Sequence, residues 1–585
     1  MNKKLSILLL PLLLVASCST DNNESQTAKH THHYIVEEGK EATCLEDGIS
    51  NKVYCDECGY VLHDHDVIKA YGHNVIDIEK LEPTCTEEGH ESGKECSRCG
   101  EVFEGKEVIP ALGHDLVKIQ DRIEPTHEHV GHTEVYKCKT CNEILDPGKD
   151  IPRKHVKGAF VDFCIEPDEF VENPGVFKCS LCDEEYHDTI TYDDINFPIL
   201  SMNGNFEAAS KTNKITVECV YDDGNTSFDC DATIKLQGAS SLTYAKKNYN
   251  IQLYKKGTNL EKKEKVKLVN SWGKQSKYTL KANYIDFTQA RNIVSAKIFG
   301  QISSSRSDEF SSLINGGAID GYPILIFENG VYQGIYTLNT PKEHWRFNMD
   351  GDETTREAIL MCDDWTSYGA LEDYLDYDFT GFELEHSSTE DFPETGDKWV
   401  VDSFNDMVRF VNDSTDSEFI SGASTYINVP AAIDQMIYTS VLCAFDNTSK
   451  NILWVTYDGV KWTPTIYDLD GTWGLDFSGK GKYEPNKEMN FVIYNALWER
   501  LYTCFETEVN DRYCYLRDNA LSITNIGNQF SNFINSIPEK LYAADYNRWY
   551  KDSKIITYSG SYDYIIEFTT NRLAYLDPLF GYSAI

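Results

Sequence analysis

The sequence predicts an α+β chain in which small cysteine-rich β repeats precede one larger mixed domain. Three observations carry this. Cysteines recur with a shift of 41 residues between positions 44 and 99. Alternating apolar and polar residues, broken by turn signals, fill much of the stretch 197–338. A helical spacing of apolar residues at 430–443 then leads into a further hairpin. A length of 585 residues makes two to four domains at roughly 150 residues each. With 41% apolar and 12% aromatic residues, a large core can be buried. The formal net charge of −40 argues against a nucleic-acid partner, because a phosphate-backbone binder needs a basic surface.

The N-terminus comes first. Lys3 and Lys4 precede an apolar run from Leu5 to Ala16, the pattern of a secretory signal and too short to span a bilayer. Val15-Ala16-Ser17-Cys18 resembles a bacterial lipobox, which implies lipidation of Cys18. Residues 1–18 are therefore expected to be a lipoprotein signal peptide and 19–28 a flexible tether. The rest of the chain is expected outside the cytoplasm, lipid-anchored to the bacterial membrane or cell surface.

Residues 29–190 hold three to four repeats. Cys44, Cys55, Cys58 and His73 read C-x10-C-x2-C-x14-H, and Cys85, Cys96, Cys99 and His114 read the same. A third unit has His127, Cys138, Cys141 and His155, with histidine at the first position. A fourth, degenerate unit has Cys164, Cys179 and Cys182, with His187 nearby. A Cys-to-His exchange suits zinc, which accepts thiolate or imidazole, better than a disulfide, which needs two sulfurs. One structural Zn²⁺ per unit is expected, in zinc-ribbon-like folds, with disulfides as the alternative in an oxidising compartment. Each histidine also lies near the next unit's first cysteine, so it can serve either neighbour. The units resemble tandem Cys/His repeats of Gram-positive surface proteins, which implies a spacer or ligand-binding stalk.

The second domain spans about 197–582. Phe197–Ser201 reads as its first strand. Ile215–Tyr221 and Ser227–Leu236 form a hairpin around Asp222-Asp223-Gly224-Asn225, and Pro323–Phe327 and Val331–Leu338 form one around Asn329-Gly330. Pro430–Cys443 reads as a helix, with Ile433, Ile437 and Val441 on one stripe. Asp446 and Asn451 follow as D-x4-N, then a hairpin, then Asp468-Leu469-Asp470-Gly471. Asp-x-Asp-Gly without further oxygen ligands is a poor calcium loop. The same residues in this order are what phosphoryl transfer uses: one carboxylate for the acceptor hydroxyl, then an amide and a carboxylate for the metal.

Gly238-Ala239-Ser240-Ser241, the strand Lys246-Lys247-Asn248-Tyr249-Asn250-Ile251-Gln252-Leu253, the stretch Tyr278–Asp286 with Arg291-Asn292, and Asn329–Tyr336 together resemble the spore coat CotH kinase family. The resemblance implies an atypical, two-lobed protein-kinase-like fold. It implies transfer of the ATP γ-phosphate to Ser/Thr of a secreted or surface protein, with Mg²⁺ or Mn²⁺. On that reading Asp446 and Lys450 are catalytic, and Asn451, Asp468 and Asp470 hold the metal. Lys246 or Lys247 meets phosphate, and Arg291 is a further nucleotide candidate. Alternation alone points to Lys247, on the face of Tyr249, Ile251 and Leu253, whereas alignment to the family points to Lys246. The family's glutamate after the Asn-Gly hairpin is replaced near Thr340, with Glu343 three residues on. A non-catalytic adhesin or pseudokinase that binds a protein or glycan is the other reading. Between Asp350 and Thr395 lie 15 acids and one arginine, expected as a solvated insertion or as a surface for basic, Ser/Lys-rich substrates.

Overall fold

The computed structural model describes residues 31–349, 354–389, 396–476, 478–479, 483–486, 494–555 and 557–583. The expected signal peptide and tether, with Cys18, lie outside them. The chain divides into two compact units, ending and starting at Lys154 and His155. No helix among the described residues is long and apolar enough to cross a membrane.

The first unit is three copies of one small design. Each has a three-stranded antiparallel sheet: Tyr34–Glu37, Lys52–Cys55 and Val61–His63, then Val75–Ile78, Gly93–Cys96 and Val102–Gly105, then Leu116–Gln120, Val135–Cys138 and Ile144–Asp146. The middle strand ends on the first cysteine of each Cys-x-x-Cys. The chain then turns through a left-handed residue, Gly59 (φ 75°), Gly100 (φ 74°) or Asn142 (φ 62°), residue types that tolerate that region. Buried apolar side chains are few. Apart from Cys44, Cys55, Cys85, Cys96 and Cys138, only Ala42, Val135 and Ile151 are buried among the described residues of this unit. A domain with so small a core needs another staple.

The second unit opens with the sheet Phe160–Phe163, Pro174–Lys178 and Glu185–Thr189. A seven-stranded closed barrel comes next: β1 (Ile199–Gly204), β2 (Ile215–Asp222), β3 (Ser227–Gln237), β4 (Asn248–Tyr254), β5 (Lys277–Lys281), β6 (Gly321–Glu328) and β7 (Val331–Asn339). Phe163 of the opening sheet stacks on Tyr332 of β7 at 4.1 Å, so this last repeat shares a core with the larger domain. The barrel closes through parallel pairing of β1 with β6. Alternation sets its two faces. Ile215, Val217, Cys219 and Tyr221 point inward with Ala232, Ile234, Tyr249, Ile251 and Leu253. The opposite face of β3, β4 and β5 is polar. There Lys235 pairs with Asn250, Asn250 with Thr279, and Gln237 with Asn248. Cys219 and Cys230 are direct cross-strand partners inside the barrel.

Between β5 and β6 runs α1 (Arg291–Ser304), buried along most of its length. After the barrel, β8 (Ala358–Cys362), β9 (Phe382–Ser387), β10 (Ile452–Thr456) and β11 (Thr463–Ile466) form a sheet in the order β9-β8-β10-β11. This corrects the expectation of a solvated insertion. The acidic stretch supplies two strands, and all five residues of β8 are buried. Helices α2 (Lys398–Asp413), α3 (Asp416–Tyr426) and α4 (Val429–Leu442) pack beside this sheet. Asn428 caps α4 by accepting from the Ala431 N–H, with Pro430 in the first turn. Five helices complete the described unit: α5 (Ala496–Cys504), α6 (Glu506–Asp518), α7 (Ile523–Asn535), α8 (Glu539–Asp545) and α9 (Tyr562–Leu576). Helix and strand content together make the chain α+β.

Candidate functional site

Helix α4 ends at Cys443, which is left-handed (φ 51°) and turns the chain into a short 3-10 turn, Phe445–Thr448, carrying Asp446. Asn451 and Asp468 stand at the two ends of the β10–β11 hairpin, and both are left-handed, with φ of 56° and 50°. Asn and Asp accept that conformation more readily than other side-chain-bearing residues. The ends are tied together. Tyr467 N–H donates to the Asn451 carbonyl at 3.0 Å, and Asn447 Nδ2 donates to the Tyr467 carbonyl at 2.8 Å. The Asn451 N–H donates to the Cys362 carbonyl of β8 at 2.8 Å. Backbone bonding thus gathers Asp446, Lys450, Asn451, Asp468 and Asp470 on one cavity of about 470 Å³, whose other wall is the polar face of β3–β5 with the Gly238–Ser241 turn.

Charge on this cavity is uneven. Lys281, at the end of β5, reaches Asp468 Oδ1 at 3.1 Å and Oδ2 at 3.2 Å and is almost fully buried. Burial opposes its charge, but Asp468, Tyr467 and Asp470 hold its pKa above the usual lysine value. Burial and the nearby Asp468 carboxylate push Asp470 up to about 7. Such crowding of carboxylates favours a bound cation. Asp446 accepts from the Trp365 indole N–H at 3.2 Å, and Trp365 stacks on Phe445 at 4.7 Å. Gly369 lets this segment lie against the loop, since a Cβ there would stand 2.1 Å from the Ser449 carbonyl oxygen. Elsewhere Lys342 bridges Glu383, at 3.0 Å, and Glu385. Burial raises the Glu385 pKa, while Lys342 keeps Glu383 low against the same burial. Lys211, Lys235, Lys277, Lys281, Lys342 and Lys450 all line the cavity. In a chain of net charge −40 this concentration of cations suits an anionic ligand.

Three expected nucleotide residues lie elsewhere. Lys246 is wholly buried, donating to the Ile335 carbonyl at 2.6 Å and to Asp545 Oδ1 at 3.0 Å. Lys247 donates to the Leu242 carbonyl at 2.7 Å and to that of Tyr244. Neither lines the cavity. Alternation misplaces Lys247 because β4 begins at Asn248, after the 3-10 turn Ser240–Thr243. Arg291 is fully buried. Its guanidinium meets Asp286 at 2.6 Å and the carbonyls of Thr472 and Ser559. The lysine that does face Asp468 is Lys281. Its signal was present: Lys277, Thr279 and Lys281 alternate with the buried Tyr278 and Leu280. Thr340 is buried and accepts from the Asp320 N–H, while Glu343 pairs with Lys277. Because Lys246 neutralises a buried carboxylate, Lys246→Ala should cost about 3–5 kcal/mol. Chemical denaturation measures this, and a phosphate-binding lysine would instead leave stability unchanged.

The metal-ligand groups of the first unit join neighbouring repeats. Cys44 and His73 of the first repeat meet Cys96 and Cys99 of the second, and Cys85 and His114 of the second meet Cys138 and Cys141 of the third. His32, Cys55 and Cys58 form a further group. Of the two neighbours open to each histidine, His73 and His114 serve the next repeat's Cys-x-x-Cys, and each brings its own repeat's first cysteine with it, so one group draws its ligands from two repeats. In the second unit His155 Nδ1 stands 3.6 Å from Cys182 Sγ. His127 occupies the first position of the third repeat. Among the described residues Cys164 and His187 stand outside these groups, and His187 pairs with Asp168 at 2.7 Å.

The Sγ–Sγ distances Cys44–Cys96 and Cys85–Cys138 are 3.7 and 3.6 Å, and Cys99–His73 and Cys141–His114 are 3.5 and 3.7 Å. Zinc bonds of about 2.3 Å to sulfur and about 2.0–2.1 Å to nitrogen imply tetrahedral edges of about 3.6–3.8 Å. Disulfide sulfurs would be about 2.05 Å apart. The thiols of one group differ: the Cys141 N–H foremost draws Cys138 down to about 5, while burial and the neighbouring Cys138 push Cys85 up to about 11. The far nitrogen of His73 faces Glu101 at 3.3 Å, the outer-shell carboxylate that orients a metal-bound histidine. These Cys/His groups are compatible with zinc.

No curated protein matches the chain. Residues 234–576 match the CotH kinase protein family, and that span runs from the end of β3 through α9, including the whole Asp446–Asp470 hairpin and most of the cavity lining. The chain belongs to the CotH kinase protein family.

Proposed function

We propose that the chain is an extracytoplasmic protein kinase, tethered through Cys18, that transfers the ATP γ-phosphate to a Ser or Thr hydroxyl of a surface or secreted protein. The observation that carries this is the hairpin. One two-stranded element sets Asn451 and Asp468 side by side, with Asp446 on the preceding turn, facing a lysine-lined cavity. The barrel and the sheet with its helices are then the two lobes of an atypical kinase fold. Asp468, Asp470 and Asn451 would hold Mg²⁺ or Mn²⁺ through hard oxygen donors. That cation supplies charge neutralisation at the phosphates. Lys281 takes the role given in sequence to Lys246 or Lys247 and neutralises phosphate charge beside Asp468. Asp446 orients the acceptor hydroxyl and takes its proton as the new P–O bond forms. The bond to the β,γ-bridging oxygen breaks and ADP leaves.

The acceptor is proposed to be basic. Asp364, Glu372, Asp373 and Asp378 are exposed on the segment that also carries Trp365, together with exposed Tyr374 and Tyr377. Exposed acids on the segment whose Trp365 bonds Asp446 suit a Lys-rich, Ser-containing chain.

The test incubates the full chain with γ- or α-labelled ATP, Mn²⁺ and a Lys/Ser-rich acceptor. Label should pass from the γ- but not the α-labelled nucleotide. Lys281→Met should lower transfer by about 10²-fold or more, as loss of a preorganised charge does. Nucleotide binding without transfer would instead favour a pseudokinase or adhesin, and no binding would sink the nucleotide reading.

A further inference from the structure

The loop carrying Asp468 and Asp470 is held from behind by one end of one helix. Asn292, in the first turn of α1, accepts from the Leu469 N–H with Oδ1 at 3.2 Å. That amide lies between the two acids. Next to it, Arg291 Nε donates to the Thr472 carbonyl at 2.9 Å. One turn further along α1, Ser295 Oγ accepts from the Trp473 indole N–H at 2.8 Å. Leu469 and Trp473 are buried, so the loop is anchored by packing as well.

Asn292 itself is 1% exposed, and its Nδ2 has no hydrogen-bond partner. A buried amide donor left without a partner carries a free-energy cost. An apolar residue would avoid that cost, so packing alone does not ask for asparagine. What the position uses is the acceptor oxygen.

We propose that Asn292, supported by Arg291 and Ser295, is a positioning residue for the acidic loop and not a nucleotide ligand. The proposal rests on the reading that Asp468 and Asp470 hold the cation. Rotation of the Asp468–Leu469 peptide would swing the two flanking carboxylates relative to each other. Fixing its N–H fixes their spacing. Mg²⁺ demands near-octahedral oxygen geometry, so a loop free to rotate binds it poorly. Residues that orient ligands from behind typically change affinity or activity by about 10–100-fold.

Hydrogen exchange on the full chain tests this directly. In Asn292→Ala the Leu469 amide should exchange at least about 10-fold faster, with β11 unchanged, and Mn²⁺ affinity in the presence of ATP should fall about 10–100-fold. Asn292→Asp, which keeps the acceptor oxygen, should retain slow exchange at Leu469. Should Asn292→Ala fail to fold, Ser295→Ala removes only the Trp473 bond and should speed exchange within 468–474. Unchanged exchange in the folded variant overturns the proposal. If the wild-type chain binds no Mn²⁺, the kinase reading fails, and the exchange at Leu469 still decides whether Asn292 holds the loop.

Discussion

Asp468→Asn is expected to abolish metal-dependent phosphoryl transfer, by about 10³-fold or more, while the fold survives. Two effects act together. On the proposed reading the substitution removes a hard anionic ligand from the end of β11, leaving Asn451 and Asp470 to hold the cation. It also removes the partner of Lys281, whose ammonium lies 3.1 Å from Asp468 Oδ1 in a nearly buried position. Asp470 remains close enough to act on Lys281, so the lysine keeps one carboxylate. Burial and Asp468 together raise the Asp470 pKa to about 7, so losing the Asp468 charge should relax Asp470 toward ordinary carboxylate behaviour. Single-turnover transfer from γ-labelled ATP measures the first effect, and thermal unfolding measures the second. Transfer by Asp468→Asn at the wild-type rate would remove Asp468 from the metal site. A collapsed melting profile would show that the residue serves the fold.

If the repeats hold zinc as proposed, chelating it should unfold residues 31–154 and leave the second unit's barrel standing. The reason is the small core. Beside its cysteines, that unit buries only Ala42, Val135 and Ile151 among its described apolar residues, against the extensive barrel and helix cores. Metal binding in small zinc domains is worth about 10–16 kcal/mol in isolated peptides, and without it such domains do not fold. Two of the groups join two repeats each, Cys44 and His73 with Cys96 and Cys99, then Cys85 and His114 with Cys138 and Cys141. Cys96→Ser should therefore loosen the first and second repeats together, where ligands confined to one repeat would disturb one. Metal analysis, followed by exchange or proteolysis with and without a chelator, reads this out. Quantitative disulfides and indifference to chelation would replace zinc by oxidation as the staple.

Much of this was legible in residue order. Asp446, Asn451 and Asp468 are separated by a hairpin whose turn, Asp458-Gly459, and alternating strands are local features. A local element carries its own geometry, so D-x4-N and the following Asp stand together once the hairpin pairs in register. The hairpins of β2–β3 and β6–β7 and the helix α4 were legible for the same reason. The lysine was not. Moving the start of β4 by one residue exchanges the faces of everything before it, and a 3-10 turn ahead of the strand sets Lys246 and Lys247 apart from its alternation. Lys281, Lys342 and Glu383 come to the cavity from separate strands and loops, and no spacing along the chain joins them.

Sequence alone determined which side chains this protein has for its chemistry: repeating thiols and imidazoles of zinc type, two acids and an amide in kinase order, and a polar strand face. Tertiary structure decided their partners. Cys44 closes with Cys96 rather than Cys55, Lys281 rather than Lys246 meets Asp468, and Arg291 binds backbone carbonyls. Spacing reports which residues share a turn or a strand face. Which distant atoms end up a few ångströms apart depends on how the strands and helices pack, because each ligand shell or ion pair is closed by groups from separate parts of the chain.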